Sequence, residues 1–340
     1  MATPPPPPPP PPTLNFCTVL SESKRIINAH SRHFLALSVI FLLPLSFSLI
    51  VSPTLFHLLS PSSDSHIHIL LRTPTLPLFH HHHNNHHRHL TTLLFSLPFS
   101  LPLLIISLFS LSSITHSVFH GFFGRPVKLR SAIQSIFPSF FPLLLTTLLS
   151  QLTLFSIALF SFLFVHSLYH FAPSLSSTFS ILLFLLLFLP PFLYLQLSWT
   201  LSSVISVVES TYGFEPLNRS SKLMKGMKGI GLSSLLFFGL MEVVLVWSNS
   251  VFASNSRGDD GNGTSGLFKD WASVVQIVLA STFLMLLMLY QTAANTVLYM
   301  YCKAVHGELA MEIVEEFARE YVTLPFDDGK IPHLVSVVRV

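Results

Sequence analysis

The stretch SSTFSILLFLLLFLPPFLYLQLSWTLSSVISVV, residues 176–208, decides the fold class. Its 33 residues include no charged side chain. As a helix with a rise of 1.5 Å per residue it would be roughly 50 Å long, whereas about 20 residues suffice to cross a hydrocarbon core about 30 Å thick. We therefore predict a membrane-spanning helix here. It must either bend at Pro190-Pro191 or project beyond the bilayer with Trp199 and Glu209.

Five other apolar blocks along the chain are also long enough to cross a bilayer. The six predicted spans cover approximately residues 34–56, 91–118, 137–167, 176–208, 230–252 and 272–302. The composition agrees, since 50% of the residues are hydrophobic, 10% are charged and the mean hydropathy is +0.63, whereas soluble domains carry about 25% charge. We predict an all-α polytopic transmembrane bundle over residues 34–304.

The segments that flank the bundle differ from it in composition. Residues 1–13 are rich in proline and predict a disordered polyproline leader, and residues 14–33 predict an amphipathic helix at the membrane surface. Residues 305–340 predict a cytosolic acidic helix and tail. We expect that helix, at 307–321, to pack against a basic loop that contains the following residues: Arg219, Lys222, Lys225 and Lys228.

Basic residues alternate between the segments that join the spans. With a cytosolic N-terminus, the inner segments hold eleven: Lys24, Arg25, Arg32, Arg125, Lys128, Arg130, Arg219, Lys222, Lys225, Lys228 and Lys303. The outer segments hold four: Arg72, Arg88, Arg257 and Lys269. This positive-inside bias predicts that both termini are cytosolic. Asn262-Gly263-Thr264, a possible glycosylation acceptor, then falls in an outer loop.

Prolines fall in or near the first four spans and are absent from the last two. They are Pro44, Pro53, Pro98, Pro102, Pro138, Pro142, Pro190 and Pro191. Proline removes a helical hydrogen bond, so we expect the first four spans to be kinked or broken. In a bilayer such breaks require a packed bundle whose neighbouring helices satisfy the freed carbonyls.

Glu242 lies near the middle of the fifth predicted span. A charged residue there costs about 3 kcal/mol on insertion scales, so its side chain should face the bundle or be neutral. Gln291 and Asn295 of the sixth span are the expected contacts. An ion or proton site is one interpretation, and a neutral carboxyl bonded to a neighbouring helix is the other.

Histidines occur in three places that invite a metal interpretation. Residues 80–89 include seven of them, which would bind a divalent metal only weakly without fixed geometry. His116 with His120 and His166 with His170 share helix faces, but topology places the two pairs about 30 Å apart, at opposite ends of the bundle. We therefore predict no metal, no cofactor and no catalytic residue. With only two cysteines, a disulfide framework is excluded as well.

Three segments resemble an uncharacterised plant family of hydrophobic proteins with about six spans. They are Val19-Leu20-Ser21-Glu22-Ser23, residues 209–226, and Leu324-Pro325-Phe326-Asp327-Asp328 with Pro332-His333. Gly124-Arg125-Pro126-Val127 and the Glu209, Gly213, Leu217, Arg219-Ser220 pattern are more distantly similar to the membrane domain associated with bacterial glycerophosphodiester phosphodiesterases. Nothing resembles the catalytic barrel of those enzymes, so the resemblance implies topology and no hydrolase activity.

Three classes of function follow from these features. The favoured one is a non-enzymatic membrane component that organises lipid or binds protein partners on its cytosolic face. A transporter or channel that uses Glu242 and the proline-broken helices is the first alternative. A lipid-modifying enzyme, which would need the histidine pairs to meet, is the second. The low, scattered charge predicts no nucleic-acid partner, and the endoplasmic reticulum and the plasma membrane both fit as locations.

Overall fold

A computed structural model describes residues 14–59, 84–125, 127–171, 177–255 and 271–309. The regular structure in these ranges is helical. The first part of the chain forms α1 (Phe16–Ala29), α2 (Ser31–Leu37), a π-helical segment (Ser38–Leu42), α3 (Leu43–Leu59), α4 (Asn84–Phe122) and α5 (Leu129–Gln134). The rest forms α6 (Ile136–Phe171), α7 (Ser177–Trp199), α8 (Ser202–Val208), α9 (Phe214–Leu223), α10 (Lys228–Asn255) and α11 (Trp271–Val305).

Six of the described segments are long and apolar enough to cross a bilayer. They are Ser31–Ser52, Ser100–Phe122, Ile136–Tyr169, Thr178–Val208, Lys228–Asn249 and Val274–Val305, numbered here as spans one to six. The predicted fold class, an all-α polytopic bundle, is confirmed. The chain is therefore an integral membrane protein by the length and apolar character of its helices.

Large apolar side chains cover the outward faces of the spans. Examples are Phe155, Phe160, Leu186, Leu240, Trp247 and Leu279, each at least 60% exposed. Water-soluble monomers rarely expose a continuous apolar surface of this extent. These faces match the hydrocarbon of a bilayer, where an exposed leucine or phenylalanine carries no hydration cost.

Span one is interrupted just before its first proline. The segment Ser38–Leu42 is π-helical, and the Leu43 N–H donates to the Ser38 carbonyl. Pro44 has no N–H to donate to the carbonyl of Ile40, so the wider turn occurs where the α-helical bond is missing anyway. Spans two and three continue as uninterrupted helices past their prolines. In the described residues of these two spans, neither a gap nor a π-helical segment occurs at the expected breaks.

The amphipathic segment before span one forms α1 and packs on the bundle. Its buried face contains Val19, Ser23, Ile26 and Ile27, at helical spacing. The Phe16 ring lies 5.5 Å, centroid to centroid, from Phe237 of α10. One face of α1 therefore contacts protein, while its basic residues Lys24 and Arg25 are exposed.

Spans two, three and four share an apolar cluster. Leu108, Leu143 and Val207 are its buried centre, and they come from α4, α6 and α8 respectively. By contacts between Cα atoms the chain divides into Met1–Tyr299 and Met300–Val340. The leader, the Asn262 loop and the acidic helix beyond residue 309 lie outside the described residues, so the predictions made for them stay predictions.

Candidate functional site

Span four is interrupted near its end by a turn that the bundle stabilises. The helix α7 ends at Trp199 and α8 begins at Ser202. The Ser220 hydroxyl of α9 donates to the Ser198 carbonyl at 2.7 Å, and the Leu201 N–H donates to the Ser220 oxygen at 3.2 Å. Buried backbone groups need partners when a helix stops inside a membrane protein. One buried hydroxyl therefore satisfies groups on both sides of the interruption.

The interruption is not where the prolines are. Pro190 and Pro191 lie inside α7, which continues for eight more residues to Trp199. The prediction that this long segment bends at the proline pair or projects beyond the bilayer stays a prediction. The helix stops at a turn that contains no proline or glycine.

Span three presents a polar face toward this turn. Thr146, Thr147, Ser150 and Gln151 occupy adjacent positions on one face of α6. The Ser206 hydroxyl of α8 donates to the Thr146 hydroxyl at 3.0 Å, and Thr146 in turn donates to a carbonyl of its own helix. This chain of hydrogen bonds joins span three to the last part of span four.

A polar cavity of about 270 Å³ lies between these elements. Its lining comes from α4, α6, α7, α8, the intervening turn, α10 and α11, and consists of Leu111, Thr146, Thr147, Ser150, Gln151, Leu154, Gln196, Trp199, Thr200, Ser202, Ser203, Ser234, Leu235, Phe238, Gln291 and Asn295. Twelve of these sixteen side chains carry a hydroxyl, an amide or an indole N–H. Among the described residues that line the cavity, none is ionisable.

Exposure varies around the cavity wall. Thr146 and Ser234 are each only 2% exposed, so they lie in its inner part. Gln151 is exposed and therefore lies at the mouth. The cavity is thus a recess that opens at the surface of the bundle and ends among buried hydroxyl groups.

The structure shows no hydrogen bond between Glu242 and the described residues expected to contact it. Gln291 and Asn295 line the cavity, one turn apart on α11, whereas Glu242 does not. Phe238, one turn before Glu242 on α10, is the last cavity residue of that helix. Glu242 is half-buried, and no side chain among the described residues bonds to it. The predicted contact of Glu242 with Gln291 or Asn295 is therefore not formed here.

The predicted basic loop forms α9 and the turn that follows it. Arg219 pairs with the carboxylate of Glu209 at the end of α8, and the buried Tyr299 hydroxyl donates to the same carboxylate at 2.7 Å. Lys222 and Lys225 are exposed. Lys228 lies with its Nζ 5.2 Å from the centroid of the Tyr194 ring. Glu209 and Tyr299 therefore anchor this segment to spans four and six.

The two histidine pairs behave differently. The rings of His116 and His120 lie 4.4 Å apart, beside Arg125 and Lys128. His166 stacks on Phe162 within its own helix, and the side chain of His170 lies outside the described set. In the part of the chain that the structure describes, no three metal-binding side chains converge. Residues 80–83 and the side chains of 84–89 lie outside that part.

The cavity contains residues that the sequence analysis singled out and others that it missed. Gln291 and Asn295 were singled out as the expected contacts of Glu242. The polar faces of α6 and α7 were missed. A signal was present, because Thr146, Ser150 and the trio Gln196, Thr200 and Ser203 recur at helical spacing within otherwise apolar blocks.

A family model matches residues 12–332, nearly the whole chain. The chain belongs to the family described as "Domain of unknown function (DUF8558)". In this DUF8558 chain the matched range contains all six spans, the cavity and α1. No curated protein and no solved structure matches it. The family description states no activity.

Proposed function

We propose that this protein is a non-enzymatic membrane protein that binds a small uncharged polar solute in the bundle cavity and carries it across the membrane. The observation that supports the proposal is the polar lining of a recess formed by spans two to six. Buried hydroxyls and amides need hydrogen-bond partners, and a solute with several hydroxyl or amide groups supplies them.

The chemistry of the lining selects the class of solute. A charged solute would need a countercharge in a low-dielectric site, and the described lining residues offer none. Hydroxyl and amide side chains both donate and accept, and Trp199 adds an apolar face. At about 270 Å³ the cavity is slightly smaller than the roughly 300–1,000 Å³ typical of drug-sized ligands. A short polyol, a single sugar or a small amide fits these limits.

The position of the cavity supports transport. It adjoins the turn between α7 and α8, and discontinuous helices commonly form the substrate site of transporters. Catalysis has less support, because the described lining contains no imidazole, carboxylate or amine that would activate a hydroxyl. The proposal differs from the transporter considered as an alternative in the sequence analysis, which used Glu242 and the proline-broken helices.

Uptake into proteoliposomes tests the proposal. The purified chain is reconstituted and the entry of glycerol, a hexose, urea and, as a charged comparison, acetate is followed by stopped-flow light scattering. We expect accelerated entry of at least one uncharged solute and none of acetate. Gln291→Leu should reduce that uptake by about tenfold, the effect of about 1.4 kcal/mol from one lost hydrogen bond.

Two further variants distinguish the cavity from the rest of the helices. Gln276→Leu makes the same change on α11 outside the cavity and should leave uptake unaltered. Glu242→Gln should also leave it unaltered, because Glu242 does not line the cavity. Loss of uptake in Glu242→Gln with retention in Gln291→Leu would contradict the proposed site. Absence of uptake for every uncharged solute would contradict transport itself.

A further inference from the structure

A second pocket lies where span two ends and the chain turns into α5. It has a volume of about 320 Å³ and is lined by His116, His120, Arg125, Val127, Lys128 and Ser131. Four of these six side chains are cationic or can become so, and a fifth is a hydroxyl. None of the described lining residues is acidic. This chemistry differs from that of the bundle cavity, whose described lining residues include no ionisable group.

The local backbone explains why these side chains converge. Gly124 adopts a φ of +70°, a conformation that favours glycine, and it reverses the chain after α4. The Arg125 N–H donates to the His120 carbonyl at 3.1 Å, so Arg125 is held beside the last turn of α4. Lys128 precedes α5, and its carbonyl accepts the Ser131 N–H at 2.9 Å. Arg125, Lys128 and Ser131 thereby face the two imidazoles.

The imidazoles are themselves fixed. The His116 and His120 rings are in edge contact at 4.4 Å, and the Nδ1 of His116 is buried without a hydrogen-bond partner among the described residues. Directly after His116 on α4, the Ser117 hydroxyl forms a hydrogen bond of 2.9 Å with the His33 ring of α2, which ties this end of span two to span one. A preformed group of donors is what an anionic oxygen ligand requires.

We propose that this pocket binds the phosphate group of an anionic phospholipid, preferably a phosphate monoester. Phosphate accepts hydrogen bonds from Arg, Lys, imidazole and hydroxyl donors, and a monoester carries up to two negative charges for the two permanent cations. Basic pockets where helices leave the bilayer are suited to lipid headgroups. The exposed apolar side chains of Ile133 and Phe137 follow directly on α5 and α6, where acyl chains would lie. This surface favours a lipid over free phosphate.

Binding of short-chain lipids to the full-length protein in neutral detergent tests the proposal. Native mass spectrometry measures the affinity for dioctanoyl phosphatidate, dioctanoyl phosphatidylcholine and inorganic phosphate. We expect phosphatidate to bind at least about tenfold more tightly than either of the others. The double variant Arg125→Gln with Lys128→Gln should abolish most of that difference, and Lys128→Arg should retain it, because arginine also binds phosphate.

Arg130→Gln is the matched control. Arg130 is exposed on α5, two residues beyond Lys128, and does not line the pocket, so its replacement removes one positive charge nearby and leaves the lining intact. Phosphatidate affinity should survive this change. If Arg130→Gln lowered the affinity for phosphatidate as much as the double variant does, the effect would come from general surface charge and the proposal would be overturned. Equal affinity for phosphatidylcholine and phosphatidate would also overturn the proposal. So would binding of inorganic phosphate as tight as that of phosphatidate, because the pocket would then be a site for a free anion.

Discussion

Ser220 stabilises the turn in span four that adjoins the cavity. Its hydroxyl bonds to the Ser198 carbonyl and accepts from the Leu201 N–H, and its side chain is fully buried. Ser220→Ala leaves both backbone groups without that partner, at a cost of about 1–3 kcal/mol for each buried polar group. We expect a clear fall in the apparent melting temperature of the detergent-solubilised protein.

Ser221→Ala is the control for this prediction. Ser221 adjoins Ser220 on α9, is only half-buried, and makes no side-chain hydrogen bond to a described residue. The free energy of unfolding should stay within about 0.5 kcal/mol of that of the parent protein, so the apparent melting temperature should hardly change. If both variants melt alike, the hydroxyl of Ser220 does not stabilise the turn in span four.

A single polar residue is easier to recognise from sequence as a candidate site residue when its type is unusual in a membrane span. Gln291 and Asn295 stood out as polar contacts on a neighbouring helix for the intramembrane carboxyl of Glu242. Thr146 and Ser150 did not, because a hydroxyl can bond to a carbonyl one turn back in its own helix, as both do here. A serine or threonine that bonds to its own helix in this way can face either lipid or a polar cavity. Only packing shows that theirs faces a cavity.

Among the elements, the helix interruptions show which breaks can be read from sequence. The π-helical segment precedes Pro44, and the missing N–H of that proline marks the place. The turn after Trp199 has no such mark, since its partner Ser220 lies nineteen residues beyond Leu201. Conversely, Pro190 and Pro191 do not end α7. A break that depends on tertiary hydrogen bonds is invisible to local rules.

The segment α9 is held in place by Glu209, Arg219 and Tyr299. Tyr299→Phe removes one hydrogen bond to a carboxylate, a loss of about 1.5–3 kcal/mol. Local opening of α9 should then be at least about tenfold more frequent, and trypsin should cleave after Lys222 or Lys225 correspondingly faster. Both lysines are exposed, so cleavage there reports opening of the backbone.

Tyr290→Phe is the corresponding control for proteolysis. Tyr290 lies on the same helix, α11, and bonds to no described residue. Limited trypsin digestion in detergent, followed by mass spectrometry of the fragments, should give parental rates for this variant. If trypsin cleaved both variants equally faster than the parent protein, span six would be loosened in general, and the bond from Tyr299 to Glu209 would not be a specific anchor.

For the whole molecule, composition and block length were sufficient to predict six spans. The ends of the spans were less predictable: span one begins at Ser31, within the predicted interfacial segment, and span two is continuous with a helix that starts at Asn84, within the histidine-rich segment. Apolar content defines the part of a helix that suits hydrocarbon, but helices continue past it wherever the backbone allows. The cytosolic position of the termini rests on the distribution of basic residues and stays a prediction.

The contrast between an apolar exterior and a polar recess is the central feature of the account. It can be measured directly by cysteine labelling in native membranes, after Cys17 and Cys302 are replaced by serine. Ser203→Cys places a thiol in the cavity, and Leu186→Cys places one on the outward face of the same span, where Leu186 is 69% exposed.

Thiols react as thiolates, which form in water and not in hydrocarbon. Iodoacetamide should label Ser203→Cys about tenfold faster than Leu186→Cys. Labelling at equal rates, whether both fast or both slow, would contradict a polar cavity inside a lipid-embedded bundle.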